Sequence, residues 1–379
     1  MPHRTILLFS LLSLCLLYFL LPLPPKPTFF HHHHQIFSRF PNPLNPCPPP
    51  PRIAYFIAGS NGDVARILRL VHALYHPRNQ YLLHLDLRVS KQEREKLAIL
   101  VGSVEYFVAA DNVNVVGKAN SVNNEGSTPL ALVLHGAAML LRYCEDWDWF
   151  VNLDASDYPL ISQDDFLHIL SYVPRSLNFI EHTGNISRAE YQRIIQIIVD
   201  PGLYLGIKGS PHVILSRKLI EFSILGWDNL PRTLLLYFSN TKFSRRGYFQ
   251  TLACNSKEFS DRVINSNLRF TALDNTTQKE RQNLRLSDLN KMLGSGAAFA
   301  GKFSPNDPVL DMIDSLVLHR NQGMISPGGW CLGRTGRGRD PCQQWGDTNI
   351  LRPGPAGKRF EKLLLRLMAN MTLHSNICI

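Results

Sequence analysis

The stretch 52-RIAYFIAGSNGDVARILRLVHALYHPRNQYLLHLD-86 decides the fold. It opens with an apolar run that ends in small residues, which is typical of a buried strand. From 63 to 76 apolar side chains recur at helical spacing, and 80–86 is a second apolar run. The stretch therefore predicts a strand, a helix and a second strand parallel to the first, joined by a right-handed crossover.

Further elements of both kinds follow along the chain. The spacing of apolar residues predicts helices over 130–143, 164–173 and 215–225, and a strand over Phe150–Leu153. Such alternation is typical of an α/β domain, in which ligands bind at the carboxyl ends of the strands. Asp86 lies at such an end, so it is a candidate ligand-binding residue.

The bulk composition indicates a globular protein with anionic partners. The chain has 379 residues, of which 45% are hydrophobic and 18% are charged, so it can bury a large core. Its formal net charge of +10 favours nucleotide phosphates, lipid headgroups, acidic polysaccharide or nucleic acid. Charge alone does not choose among them.

The N-terminal segment predicts a membrane anchor. Residues 6–23 carry no charge and are long enough to cross a bilayer, and no small-x-small cleavage site follows them. The single arginine of the short tail 1–5 favours a cytoplasmic N-terminus. The Pro- and His-rich residues 24–51 then form an extended stem, and 52–379 form a lumenal domain.

Cysteines and glycosylation sequons agree with a secretory compartment. Beyond the anchor the chain holds six cysteines, which allow fifteen disulfide pairings. Candidate glycosylation sites are Asn185, Asn275 and Asn370, each in an Asn-x-Ser/Thr sequon. A lumenal body argues against nucleic acid as the partner.

The sequence lacks the motifs of two hydrolase classes, but it contains a series of acidic residues at predicted strand ends. The sequence has no Gly-x-Ser-x-Gly elbow and no His-Glu-x-x-His or paired-cysteine zinc signature. Acids at strand ends followed by basic residues suit a nucleotide-sugar transferase. Asp146 and Asp148 look like a metal-binding Asp-x-Asp motif; alternatively, such acids begin turns and helices while Trp147 and Trp149 belong to the core.

Several segments carry a resemblance to a known family. Among them are 146-DWDWFVNLDASDYPL-160, 226-GWDNLPRTLL-235, 247-GYFQTLACN-255 and 297-AAFAGKFSPNDPVLDMID-314. The body resembles the core-2/I-branching β-1,6-N-acetylglucosaminyltransferase-like family, glycosyltransferase family 14. It is most similar to the plant branch, the β-glucuronosyltransferases that add glucuronic acid to galactan chains of arabinogalactan proteins in the Golgi.

The resemblance implies a GT-A-type α/β fold with a mostly parallel central sheet and a type II topology. It also implies a UDP-sugar donor, inversion at the anomeric carbon, no cofactor and no dependence on a divalent metal. By the same resemblance Asp86 contacts uracil, and Lys302 contacts the diphosphate together with Arg281 or Lys279. Asp146-Trp147-Asp148 is then a scaffold at a strand entry beside the donor cleft rather than a metal site.

The sequence departs from the family at the catalytic base. Where relatives carry a Glu before Gly247, this chain reads 244-SRRGYF-249 with Arg246, and a guanidinium cannot act as a general base. A second departure is the short segment 203–217 on the acceptor side of the cleft. Asp228 is a candidate replacement base, although its position also suits a helix cap.

The helix around 188-RAEYQR-193 resembles the family's acceptor-contact helix. Glu190 and Arg193 are therefore candidate acceptor-binding residues, with Glu190 a second candidate for the base; exposed surface charge is the alternative.

The leading hypothesis is a Golgi transferase that moves glucuronate from a UDP-sugar to galactan chains of arabinogalactan proteins. The alternative is a catalytically impaired lumenal binding or scaffold protein that associates with active Golgi transferases, because Arg246 replaces the base.

Overall fold

The computed structural model describes most of the chain beyond the stem. The described residues are 48–123, 126–144, 146–183, 208–226, 228–242, 244–272, 283–333 and 340–373. The chain divides into two units, 1–48 and 49–379, and the second is the one described below. No helix in these ranges is both long and apolar enough to span a bilayer, and the predicted anchor at 6–23 lies outside them.

Strands of very different length build the sheets of this unit. The strands are β1 (Ile53–Gly59), β2 (Gln80–Leu85), β3 (Val113–Val115), β4 (Trp149–Asp154), β5 (Tyr158–Pro159), β6 (Asn178–Phe179), β7 (His182–Thr183), β8 (Lys208–Gly209), β9 (Ile214–Ser216), β10 (Val263–Ile264), β11 (Arg269–Phe270) and β12 (Phe299–Ala300).

Helices follow most of the longer strands. They are α1 (Val64–Leu74), α2 (Lys91–Gly102), α3 (Glu105–Ala110), α4 (Thr128–Tyr143), α5 (Gln163–Ser171), α6 (Arg217–Leu225), α7 (Asn229–Ser239), α8 (Tyr248–Asn255), α9 (Leu289–Ser295), α10 (Pro308–Ile313) and α11 (Pro355–Leu373).

The central sheet has the order β10-β6-β9-β4-β1-β2-β3. Strand β1 is parallel to both β2 and β4, and β2 is parallel to β3. Strand β9 runs antiparallel to its neighbours β4 and β6. The prediction of an α/β fold with a mostly parallel central sheet is therefore confirmed.

Strand β1 lies at the centre of the sheet because both of its faces are apolar. Tyr55 and Ile57 belong to the buried cluster that includes α1, whereas Ala54 and Phe56 belong to the cluster that includes α4. Successive side chains of a strand point to opposite faces, so one short run fills two cores. Helix α4 approaches so closely that a Cβ at Gly136 would lie 2.5 Å from the Phe56 ring.

The elements predicted from apolar periodicity are present with small shifts at their ends. The strand, helix and strand of 52–86 are β1, α1 and β2, and the predicted strand Phe150–Leu153 is β4. The prediction of a helix from 215 is corrected at its start, since 214–216 forms β9 and α6 begins at Arg217.

Two smaller features complete the unit. A three-stranded sheet of order β11-β12-β5 brings the chain around residue 300 against the turn after β4. Of the disulfide pairings that the sequence left open, Cys331–Cys342 is formed. Asn370, a candidate glycosylation site, lies exposed on α11, while Asn185 and Asn275 are outside the described residues.

Candidate active site

Asp86 lies at the carboxyl edge of the parallel strands. It directly follows β2, its backbone N–H donates to Gly59 O at the end of β1 over 3.0 Å, and the residue is 4% exposed. The sequence therefore predicted its place in the sheet correctly. A buried carboxylate at this edge is suited to accept a hydrogen bond from a ligand N–H.

In this structure Arg88 holds the Asp86 carboxylate. Arg88 Nη2 lies 2.8 Å from Oδ2 and Nε lies 3.1 Å from Oδ1, while the backbone N–H of Val122 donates to Oδ2 over 3.2 Å. Burial by itself would raise the pKa of Asp86, but the hydrogen bonds from Arg88 and Val122 lower it. The Arg88 side chain is 65% exposed, so it can leave the carboxylate to a ligand without disturbing the core.

A second set of polar side chains meets at the carboxyl end of β4. His212 Nε2 lies 3.1 Å from Asp154 Oδ2 and 3.3 Å from Asp157 Oδ2. Asp154 is the last residue of β4, and its backbone N–H donates to Asp157 Oδ2 over 2.9 Å. We call these three residues the β4-end cluster.

The neighbouring strand β9 brings His212 into the β4-end cluster. Because β9 is antiparallel to β4, the residues that precede Ile214 lie beside the carboxyl end of β4. Asn152 fixes this approach, since its side chain accepts from Val213 N over 2.9 Å and donates to Pro211 O over 3.0 Å. The imidazole is thus placed by strand pairing.

Two arginines balance the charge of the β4-end cluster. Arg245 lies 3.3 Å from Asp154 Oδ2, and Arg269 forms a two-pronged ion pair with Asp157. Burial alone would raise the pKa of both carboxyl groups, but the charge of Arg245 beside Asp154 and of Arg269 beside Asp157 holds both pKa values below the ordinary range. Both aspartates are therefore carboxylates at neutral pH.

The spacing of the β4-end cluster also resembles that of a cation site. Its three candidate ligand atoms lie within 4.8 Å of one another. Each carboxylate already has a guanidinium partner, however, and a cation would have to displace both arginines. The cluster is therefore a charge-balanced network of two carboxylates and two guanidinium groups.

Lys302 lies next to this network. It follows β12, which pairs with β5, and a Cβ at Gly301 would lie 2.6 Å from Asp157 Oδ1. The Lys302 side chain is exposed, and its backbone oxygen accepts from Leu284 N over 2.7 Å. Arg281 and Lys279, the other candidates for diphosphate contact, are outside the described residues.

Arg246 directly follows Arg245, which contacts the β4-end cluster. It ends the 3-10 turn Ser244–Arg246 and is exposed, whereas the preceding Arg245 turns inward to Asp154. Asp228 is exposed at the start of α7, where its Oδ1 accepts from Leu230 N over 3.0 Å, as a helix cap does. The candidate acceptor residues Glu190 and Arg193 are outside the described residues.

The Asp-x-Asp motif at 146–148 lies at the opposite edge of the sheet. Asp148 Oδ2 accepts from Arg52 N over 2.8 Å at the amino ends of β1 and β4, and exposed Asp146 pairs with the Arg52 side chain. Trp147 and Trp149 are buried, as the alternative interpretation predicted. The expectation of a strand-entry scaffold is confirmed, and the motif lies at the opposite ends of the strands from Asp86.

Sequence reasoning missed three residues of this site, His212, Arg245 and Arg269. No spacing rule connects them with Asp154 or Asp157, because His212 lies just before β9, Arg245 on a 3-10 turn and Arg269 on β11. The sequence feature that came nearest to indicating them was the pair of adjacent arginines, Arg245 and Arg246, at the position of the expected base. Tertiary structure decides which of the two enters the site.

An α/β sheet with a buried carboxylate and a second charged cluster along one carboxyl edge belongs to the class of open α/β folds that bind ligands at this edge. Comparison with known proteins is more specific. The family model described as Core-2/I-Branching enzyme matches residues 53–293. The chain belongs to this family of glycosyltransferases.

Several relatives that match most of the chain are named glucuronosyltransferases. Beta-glucuronosyltransferase GlcAT14A of Arabidopsis thaliana is 46% identical over 358 residues, which cover 89% of this chain and 80% of that protein. GlcAT14C of the same plant is 42% identical over 348 residues, covering 86% of this chain and 85% of the relative. Among solved structures, the apo WbbM bifunctional glycosyltransferase matches with a TM-score of 0.38 and 14% identity over 72% of this chain and 50% of that one, which is too low to carry an argument.

Proposed function

We propose that this protein is a Golgi β-glucuronosyltransferase with a GT-A-type fold. It transfers glucuronate from UDP-glucuronate to galactan chains of arabinogalactan proteins, with inversion and without a divalent metal. The observation that carries the proposal is the identity of 42 to 46% with proteins named beta-glucuronosyltransferases over most of both chains. The uncharged segment 6–23 anchors the enzyme as a type II membrane protein with 52–379 in the lumen.

Different steps of the reaction take place at the two ends of the carboxyl edge of the sheet. Asp86, once Arg88 moves aside, accepts the N–H of the uracil ring. The exposed Lys302 supplies positive charge for the diphosphate as it leaves, a role that a divalent metal has in other transferases. The acceptor hydroxyl then attacks the anomeric carbon near the end of β4.

A donor comparison tests the proposed function. The full chain, purified in detergent, is assayed for UDP release with a β-galactan acceptor and either UDP-glucuronate, UDP-N-acetylglucosamine or UDP-xylose, each in the presence of a chelator. We expect acceptor-dependent release that is fastest with UDP-glucuronate. A preference for another donor would overturn the glucuronate assignment, and strict dependence on added Mn²⁺ would overturn the metal-free one.

A second candidate function follows from the exposed Arg246 at the family's base position. In this alternative the protein binds UDP-sugar or glycan without transfer and acts through association with active Golgi transferases. The variant Arg246→Glu separates the two. If the native chain binds UDP but never transfers, and Arg246→Glu transfers, the native protein is a binding protein; if both transfer, it is an enzyme.

A further inference from the structure

His212 has a defined tautomer because of its two carboxylate neighbours. Its Nε2 lies 3.1 Å from Asp154 and 3.3 Å from Asp157, and both neighbours are acceptors only. Nε2 must therefore carry a proton. In the neutral imidazole the lone pair is then on Nδ1, which makes no hydrogen bond with any described residue.

The position of His212 suits contact with a substrate. Its side chain is 11% exposed, so the ring is mostly buried but can still be reached from solvent. Strands β2, β1, β4 and β9 are successive neighbours, and three strand spacings place His212 about 14 Å from Asp86 along the carboxyl edge. An extended nucleoside diphosphate bound at Asp86 brings its sugar toward that end of the edge.

We propose that His212 is the general base of this transferase and replaces the carboxylate that is absent at position 246. The inference rests on the proposed function. Nδ1 takes the proton of the acceptor hydroxyl while the hydroxyl oxygen forms a bond to the anomeric carbon. The bond from that carbon to the β-phosphate oxygen breaks, and UDP leaves with the electron pair. The imidazolium then returns its proton to solvent.

The surroundings of His212 favour this proton transfer. Asp154 and Asp157 face Nε2 and stabilise the imidazolium when it forms, as the buried carboxylate of a catalytic triad does. Arg245 and Arg269 contact the same two carboxylates and keep them ionised. Two negative and two positive side chains thus surround the ring, which gains one positive charge when Nδ1 takes the proton.

The variant His212→Gln tests the proposal on the full chain in detergent. Glutamine keeps a polar side chain of similar length, but it cannot accept a proton at neutral pH. We expect transfer to fall about 10²- to 10⁴-fold, the usual contribution of a general base. The affinity for UDP should stay within about twofold, because the base contributes to chemistry and not to donor binding. His135→Gln, on the exposed side of α4, is the matched control with unchanged activity.

A further measurement separates a catalytic from a structural role. Added imidazole should restore part of the activity of His212→Gly, since the free base can fill the vacated space.

Each outcome bears on a different claim. Retained transfer in His212→Gln overturns His212 as the base while the proposed function stands. Lost UDP binding together with lost transfer, or failure of imidazole to restore activity, assigns His212 a structural role instead. A native chain that transfers from no donor overturns the proposed function and this inference together.

Discussion

The two ends of strand β4 each carry a pair of aspartates, and only one pair builds a site. At the amino end, Asp146 and the side chain of Arg52 are 74% and 40% exposed. At the carboxyl end, the side chains of Asp157 and Arg269 are 0% and 3% exposed, and His212 joins them. The comparison teaches that the position of a carboxylate pair in the sheet matters more than its spacing in the sequence.

Breaking the buried pair should have the largest effect. Replacing Arg269 by Met leaves the Asp157 charge buried without its main partner, which typically costs about 3–5 kcal/mol. We expect Arg269→Met to lower the free energy of unfolding by that amount in urea titrations. Arg52→Met, which removes the partner of exposed Asp146 at the amino end of β4, is the matched control and should change it by less than about 1 kcal/mol. Equal losses in the two variants would contradict the comparison.

Another aspartate, Asp164, shows what burial does without an ion-pair partner. Asp164 is 3% exposed and accepts from Gly329 N over 2.7 Å and Arg352 N over 2.6 Å. Burial raises its pKa from 3.8 to about 6. A raised pKa means that the folded state binds the proton more tightly, so its contribution to stability is complete below pH 4 and is lost as the pH rises through 6.

The variant Asp164→Asn should remove this pH dependence. Relative to wild type, it should gain about 2–3 kcal/mol between pH 4 and pH 7, measured by urea unfolding at several pH values. Asp157→Asn is the control of opposite sign, because the pKa of Asp157 is lowered and its contribution is present above pH 4 and lost as the pH falls. A stability difference between Asp164→Asn and wild type that does not change with pH would count against a raised pKa.

The smallest effect is expected at the exposed end. Asp146→Asn removes one partner of a surface ion pair whose two side chains are largely solvated. We expect the free energy of unfolding to change by less than about 0.5 kcal/mol, and transfer activity to remain at the wild-type level. A large loss of activity would show that the amino edge takes part in the reaction after all.

Long periodic segments were predictable, and short strands were not. The runs that became β1, α1 and β2 are long enough for their apolar spacing to identify them. Strands of two residues, such as β5, β11 and β12, have no measurable period and exist only because neighbouring segments pair with them. Strand β9 was assigned to a helix for the same reason.

The residues of the candidate site were likewise only partly predictable from the sequence. Asp86 was identifiable because it ends a predicted strand, and β-strand order places it at the edge where ligands bind. His212 was not identifiable, since only the antiparallel pairing of β9 with β4 brings it to Asp154. The choice between Arg245 and Arg246 depended on the orientation of a single turn.

By itself the sequence determined the family, the α/β class and the location of Asp86, because local apolar patterns and contiguous motifs encode them. The tertiary structure alone decided that Asp146 and Asp148 lie on the opposite edge from Asp86 and that His212, Arg245 and Arg269 meet at the end of β4. These contacts join residues far apart in the chain, and only the pairing of distant strands fixes such distances.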